Sequence, residues 1–179
     1  MRWANRQYWQ VGHDEEGRHG IAEGGDLLAV SLALALENQG WLGDWEPLRI
    51  ELTEGDPVDY LETDLPLRLC SMRMRGLIDV FRAIGDRWQW LPVTVFRGKE
   101  TWDYQALHLL RAPNWLDAGH SHYRDGELVK PVVSRELAGD RRILVPRGDL
   151  HGWFIDDELC EELDEARISG IAFYEIETV

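Results

Sequence analysis

The segment WQWLPVTVF at residues 88–96, followed by RGKE at 97–100 and TWDYQALHLL at 101–110, decides the fold class of this chain. Both flanking segments are rich in aromatic and β-branched residues, and the four residues between them include a glycine. Two such segments around a short glycine-containing loop predict a β-hairpin. The fold is therefore expected to contain a sheet, and the segments on either side show what packs against it.

Helices are predicted both before and after this hairpin. The first begins at the N-cap Ser71 and ends at Gly85. Its apolar residues recur at helical spacing, namely Met74, Leu77, Ile78, Phe81 and Ile84. The second begins at Asp156, continues through Arg167 and has an apolar stripe of Leu159, Cys160, Leu163 and Ala166. Acidic residues cover the rest of its surface, so it is predicted to pack with one face only.

Further extended segments are predicted along the chain, and a turn at Asp125-Gly126 joins two of them into a second hairpin. They are residues 8–11, 49–52, 121–123, 128–133, 153–155 and 171–176. Residues 13–25 are predicted to form a loop, and residues 27–38 are interpreted as a helix although their alternation also suits a strand. The prediction is an α+β fold, with a mixed or mainly antiparallel sheet and two or three packed helices.

The size of the chain suits a single domain over residues 1–179, with an acidic first part at 1–56. It has 179 residues, 33 acidic and 19 basic side chains, and a net charge of −14. Nucleic acid and anionic lipid are polyanions that bind through Lys and Arg, so neither is an expected partner. The first ten residues have no apolar core of a secretory signal, and Cys70 and Cys160 are expected to be reduced and buried. We therefore expect a cytoplasmic protein.

The negative charge is concentrated at the two ends of the sequence. Residues 1–66 have a net charge of −10, residues 67–148 of +5 and residues 149–179 of −9. In one interpretation, the ends fold against the arginine-rich middle and are neutralised within the domain. In the other, they form an acidic surface for a basic partner, which would accelerate association at low salt.

Two regions are the candidates for contact with a partner. Trp41 and Trp45 lie in a glycine-rich acidic loop, and exposed tryptophan is typical of interface hot spots. The last predicted helix contributes the acidic candidates, which are Asp157, Glu158, Glu161, Glu162 and Glu165.

One cluster suggests metal chemistry as an alternative. His120 and His122 would lie on the same side of a strand, and a carboxylate from Asp117 or Asp125 could complete a set of three ligands for Zn²⁺ or Fe²⁺. A short H-x-H sequence is common by chance, and a helical H-E-x-x-H sequence is absent. A solvated polar loop is the simpler interpretation.

Several short segments between residues 57 and 176 are similar to a family of bacterial proteins. They are PVDY at 57–60, LCS at 69–71, WLPV at 90–93, residues 104–110, NWLD at 114–117, Ser121, WFIDDEL at 153–159 and SGIAF at 169–173. In these segments the chain resembles the immunity proteins of polymorphic toxin systems, specifically the large group founded on a Myxococcus protein. The first 56 residues do not share the resemblance.

The resemblance implies a protein that binds and neutralises a cognate toxin encoded beside it, without catalytic residues. We expect no cofactor, and the acidic ends suggest a basic toxin such as a nuclease domain. Two alternatives remain from the sequence: a metal-dependent enzyme centred on His120 and His122, and a general protein-interaction module. The sequence leaves homodimerisation open.

Overall fold

The computed structural model describes residues 5–14, 16–17, 19–25, 28, 40–110, 114–125, 127–145 and 152–179. Within them the protein is a small α+β domain consisting mostly of strands, which confirms the predicted class. The strands are β1 (Tyr8–His13), β2 (Gly20–Glu23), β3 (Leu48–Gly55), β4 (Tyr60–Thr63), β5 (Leu69–Ser71), β6 (Trp88–Arg97), β7 (Glu100–Leu109), β8 (His122–Arg124), β9 (Glu127–Lys130), β10 (Val132–Val133), β11 (Ile143–Leu144), β12 (Phe154–Asp156) and β13 (Ile171–Thr178). The helices are α1 (Met72–Val80), α2 (Arg135–Ala138) and α3 (Asp157–Glu165).

Six strands close into a small barrel in the order β2-β3-β6-β7-β5-β4. The predicted hairpin of β6 and β7 is confirmed, and it pairs without interruption from Trp88 opposite Leu109 to Arg97 opposite Glu100. The β2/β4 and β3/β6 pairs are parallel and the others are antiparallel. Apolar side chains such as Leu61 and Leu91 fill the interior and are fully buried.

A second sheet has the order β10-β13-β1-β12-β11. Its pairs are antiparallel except β10 with β13, so the sheets are mixed, as predicted. The second predicted hairpin is also confirmed, since β8 pairs with β9. It is a separate two-stranded sheet, and Val132 and Val133 leave it to join β13.

A shared core joins the barrel to the second sheet. It contains Tyr60 and Leu107 from the barrel, Val11 and Ile155 from the sheet, and buried residues of α1 and α3. Each fully buried aliphatic side chain contributes roughly 1.5–3 kcal/mol. The barrel and the sheet therefore stabilise each other.

A search of the described helices for a membrane-spanning segment finds none of sufficient length and hydrophobicity.

Both predicted N-caps are confirmed, but both helices end earlier than predicted. The Ser71 hydroxyl accepts the Met74 amide, and the Asp156 carboxylate accepts the Leu159 amide. Helix α1 stops at Val80, and Ile84 is 99% exposed rather than on the apolar face. The turn that follows is fixed by Asp86, whose carboxylate accepts the amide of Ala83.

Helix α3 ends at Glu165, two residues before the predicted end. Arg167 adopts a positive φ of 52°, a conformation that ends a helix, and Ile168 then turns back into the shared core.

One loop prediction is wrong. Residues 13–25 contain β2, which pairs with both β3 and β4 of the barrel. Its four residues lack a clear alternation, so the strand depends on its neighbours rather than on its own sequence. Apart from Leu28, the helix interpreted at residues 27–38 lies outside the described residues.

Candidate partner-binding surface

Helix α3 is firmly attached to the domain through its inner side. Leu159, Cys160 and Leu163 are buried in the shared core. The Asp156 carboxylate is completely buried, 3.2 Å from Nε of Arg6 and 2.9 Å from Nη1 of Arg142. Burial raises the pKa of Asp156 to about 6, although the Leu159 amide, Arg142 and Arg6 all favour its charged form.

The opposite side of α3 presents carboxylates to solvent. Glu161 and Glu165 are exposed, while Asp157 and Glu162 are half-buried. The carboxylate of Glu158 lies 2.7 Å from the guanidinium of Arg142. In the described part of the chain, no basic side chain forms an ion pair with the other four. We call Glu158, Glu161, Glu162 and Glu165 the acidic face of α3.

The arginine-rich middle of the sequence neutralises only part of the acidic ends. Arg73 pairs with Asp59 of the first part at 3.1 Å, and Lys130 pairs with Glu177 of the last part at 2.7 Å. Arg142 pairs with Asp156 and Glu158. The first interpretation of the charge therefore holds in part. The second stays a prediction, since the ion pairs among the described residues leave Glu161, Glu162 and Glu165 out.

The two candidate tryptophans have different environments. Trp41 is 69% exposed, as expected for a contact residue. Trp45 is half-buried against the barrel, and its indole N–H donates to the carbonyl of Pro92 at 3.1 Å. The expectation of exposure is therefore wrong for Trp45, which anchors the loop.

Strands β6 and β7 hold this loop in place through their side chains. The Gln89 amide accepts the Leu42 N–H at 2.9 Å and donates to the Leu42 carbonyl at 2.7 Å. Nε2 of His108 lies 2.9 Å from the Gly40 carbonyl, and burial lowers the pKa of His108. These hydrogen bonds fix the backbone on both sides of the exposed Trp41.

The Trp41 loop and the acidic face of α3 are separate surfaces. Trp45 and Leu42 pack on the barrel interior, whereas α3 packs on the shared core. Within the described residues, no hydrogen bond or ion pair joins the loop to α3.

Sequence reasoning missed a hydrogen-bonded junction around Asp59. The Asp59 carboxylate accepts the Ser71 hydroxyl at 2.6 Å, and it accepts the amide and hydroxyl of Ser169 at 3.1 and 3.0 Å. The Arg73 guanidinium donates to it at 3.1 Å and also donates to the Ala166 carbonyl. The junction therefore ties β4, the start of α1 and the end of α3 together.

The protonation of Asp59 follows from these contacts. Burial would raise the pKa of its carboxyl, but the hydrogen bonds from Ser71 and Ser169 and the charge of Arg73 lower it below the usual value. Asp59, Ser71 and Ser169 all belong to segments that carry the family resemblance. The contact of Asp59 with Ser169 could not be predicted from the sequence, because the two residues are 110 positions apart.

The predicted metal cluster does not assemble. One Asp117 carboxylate oxygen accepts the amides of Gly119 and His120 and lies 2.8 Å from Nδ1 of His120. The hydrogen bond from His120 lowers the pKa of Asp117. His122 and Asp125 are exposed, and among the described residues no group of three or more His, Cys, Asp or Glu side chains could hold a metal ion. Asp117 and His120 instead stabilise the turn before β8.

The two cysteines are buried and free, as predicted. Burial is the largest influence on both thiols, raising the pKa of Cys160 to about 11 and that of Cys70 well above its usual range. Thiolate chemistry at neutral pH is therefore disfavoured at either position.

No protein-family model matches the chain, and no curated protein matches it significantly. The family resemblance therefore stays a prediction.

Proposed function

We propose that this protein is an immunity protein that binds a basic bacterial toxin in the cytoplasm and neutralises it stoichiometrically, without turnover. The observation that supports this best is the acidic face of α3, where Glu161, Glu162 and Glu165 form no ion pair with any basic side chain that the structure describes. Surface charge without internal partners costs stability through self-repulsion, and it is useful when a partner of opposite sign binds. A nuclease domain has the complementary potential, since its own cleft binds a polyanion.

Trp41 supplies apolar contact area, which the charged residues of α3 do not. Complementary charge raises the association rate, whereas an aromatic side chain buried at the interface slows dissociation. Trp41 is exposed on a loop held by Gln89 and His108, so little conformational freedom is lost when a partner covers it. The proposed complex therefore uses α3 for attraction and Trp41 as an anchor.

Co-expression in a bacterial host tests this function. The product of the adjacent gene should arrest growth when expressed alone, and this protein should restore growth and form a one-to-one complex with it. We expect the association rate to fall steeply with added salt, because attraction between exposed charges is screened. Normal growth with the adjacent product alone, or an arrest that this protein does not relieve, would refute the proposal.

Charge reversal then locates the interface. Replacing Glu161, Glu162 and Glu165 by Lys should slow association about tenfold or more at low salt. The matched control replaces Glu51, Glu54 and Glu100, which are exposed acids of the barrel, by Lys as well. Both triple variants therefore change the net charge by the same amount. Equal effects of the two triple variants would show that net charge, and not the acidic face of α3, governs binding.

A further inference from the structure

Within the residues that the structure describes, the outer edge of β13 has no paired strand along most of its length. On one side, β13 pairs with β1 continuously from Ile171 to Ile176. On the other side, β10 pairs only with Glu177 and Thr178. Among the strands that the structure describes, none pairs with this outer edge between residues 171 and 176.

The register identifies the backbone groups that point outward. The Val11 amide donates to the Trp153 carbonyl at 3.0 Å, so the odd-numbered residues of β1 face β12 and the even-numbered ones face β13. In the β1/β13 register, the even residues of β1 lie opposite Ala172, Tyr174 and Ile176, which therefore bond to β1. It follows that the N–H and C=O groups of Ile171, Phe173 and Glu175 point away from the sheet.

A contact beyond this edge confirms the alternation. The Val179 amide, two positions after Glu177 and also odd-numbered, donates to the Val133 carbonyl of β10 at 2.8 Å. At the other end, the carbonyl of the even-numbered Gly170 accepts the Asp14 amide from the β1 side, and the carbonyl of the odd-numbered Ser169 accepts the Tyr60 amide from the outer side, so the open edge begins after Gly170.

This edge lacks most of the features that usually prevent strand addition, and the charge that it carries is acidic, at Glu175 and Glu177. Natural edge strands carry lysine, proline or a bulge, or are very short. The sequence IAFYEIET of β13 contains no lysine or proline, and its register with β1 shows no irregularity. An open, regular edge of this length is suited to accept another strand through main-chain hydrogen bonds.

We propose that the outer edge of β13 pairs with an extended segment of the basic partner protein, an inference that rests on the proposed function. Charge favours this occupant over a second copy, because two copies would each bring a net charge of −14. Glu175 is exposed near the C-terminal end of the open edge, and a Lys or Arg directly opposite it forms a favourable cross-strand pair. Tyr174 is 55% exposed beside it and offers apolar area to the added strand.

A peptide probe tests the edge without the toxin. The probe is a capped peptide of about six alternating valine and lysine residues, the usual length of a strand. Its control is the same peptide with N-methyl groups on alternate residues, which keeps the charge but prevents main-chain pairing. Binding is followed at up to about 1 mM by amide hydrogen exchange resolved to single residues.

The expected result is about tenfold or greater slowing of exchange at Ile171, Phe173 and Glu175 with the unmodified peptide only. Ala172 and Tyr174 serve as internal controls, since their amides are already bonded to β1. No slowing with either peptide, or equal slowing with both, would overturn the proposal, because equal slowing means attraction by charge alone.

Substitutions at Glu175 separate main-chain pairing from charge. Glu175→Pro removes one outward N–H at a position where an edge strand tolerates proline, and it should reduce peptide affinity about tenfold or more. Glu175→Thr keeps that N–H and should retain slowed exchange at Ile171 and Phe173. Should Glu175→Pro not fold, the N-methylated peptide still decides the question on the natural protein.

Three further outcomes distinguish the occupant of the edge and separate this proposal from the proposed function. If the protein sediments as a dimer that Glu175→Pro converts to a monomer, a second copy occupies the edge and the proposal is wrong. If the adjacent gene product binds but leaves exchange at Ile171, Phe173 and Glu175 unchanged, the edge proposal is overturned and the proposed function stands. If that product does not bind while the peptide pairs with the edge, the proposed function fails and the edge is supported as a strand-binding site.

Discussion

Replacing Asp59 by Ala should destabilise the domain far more than the loss of one surface acid would suggest. Its carboxylate accepts hydrogen bonds from Ser71, Ser169 and Arg73, and so connects three parts of the chain. The substitution removes the carboxylate that accepts all of these hydrogen bonds. The hydroxyl of Ser71 can turn to another acceptor, but the Ser169 amide is half-buried and has a fixed direction.

The magnitude follows from the individual contacts. An amide left without an acceptor costs about 1–3 kcal/mol, depending on its burial. Hydrogen bonds to charged groups contribute about 1.5–3 kcal/mol each, but both hydroxyls can turn to water or to another acceptor in the variant, so their loss adds about 1 kcal/mol in total. Arg73 is about half exposed, so its ion pair contributes less than about 1 kcal/mol. We therefore expect a loss of roughly 2–4 kcal/mol in the free energy of unfolding at pH 7.

The effect should also depend on pH, with a defined sign. The contacts lower the pKa of Asp59 in the folded state below its usual value. The stabilisation is thus complete above the unfolded pKa of about 3.9 and is lost as the pH falls through the folded value. The difference between natural protein and variant should consequently narrow below about pH 4.

Urea unfolding followed by tryptophan fluorescence at several pH values measures both effects. Asp56→Ala is the matched control, because Asp56 is an exposed acid three residues earlier. Its side chain forms no hydrogen bond or ion pair with the residues that the structure describes. A variant at Asp59 that unfolds at the same urea concentration as this control would refute the reasoning. A difference in the free energy of unfolding between the natural protein and the Asp59→Ala variant that stays constant down to pH 2 would also refute it.

Three further substitutions or measurements test the fold. Leu91→Ala should cost roughly 2–5 kcal/mol in urea unfolding, because Leu91 is fully buried in the barrel; a cost below about 1 kcal/mol would show that the interior is not closely packed. Gly170→Ala should cost more than Gly98→Ala, since both have positive φ but only at Gly170 would a Cβ lie 2.5 Å from a backbone carbonyl oxygen; equal midpoints would contradict this. Cys70 and Cys160 should react with a thiol reagent only on unfolding, and labelling of the native protein at the rate of a free thiol would be inconsistent with their burial.

Features specified by neighbouring residues were predictable. Both hairpins and both N-caps depend on residues within a few positions of one another, and Ser71 and Asp156 act as caps as expected. The ends of the helices were less predictable. The turn after α1 depends on Asp86, whose carboxylate also accepts the Arg142 amide fifty-six positions away. Ile84 fits the helical spacing but lies beyond that turn.

The candidate site was predictable in its chemistry but only partly in its geometry. The acidic residues of α3 and the exposed Trp41 lie where a partner could contact them. The prediction that Trp45 is exposed is wrong because its burial depends on contacts with Pro92 and the barrel, which the composition of its loop does not reveal. The predicted ligands His122 and Asp125 are exposed, and Asp117 serves a local turn instead.

The sequence by itself determined the α+β class, the local turns and caps, the burial of both cysteines and the location of the negative charge. These follow from interactions between residues that are close in the chain. Only the tertiary structure decided that six strands close into a barrel, that Asp59 meets Ser169, which of the described acids form ion pairs and which edge of β13 has no partner among the described strands. Each of these depends on contacts between distant segments, and the free energy of such contacts is set by packing and strand register, which local sequence does not encode.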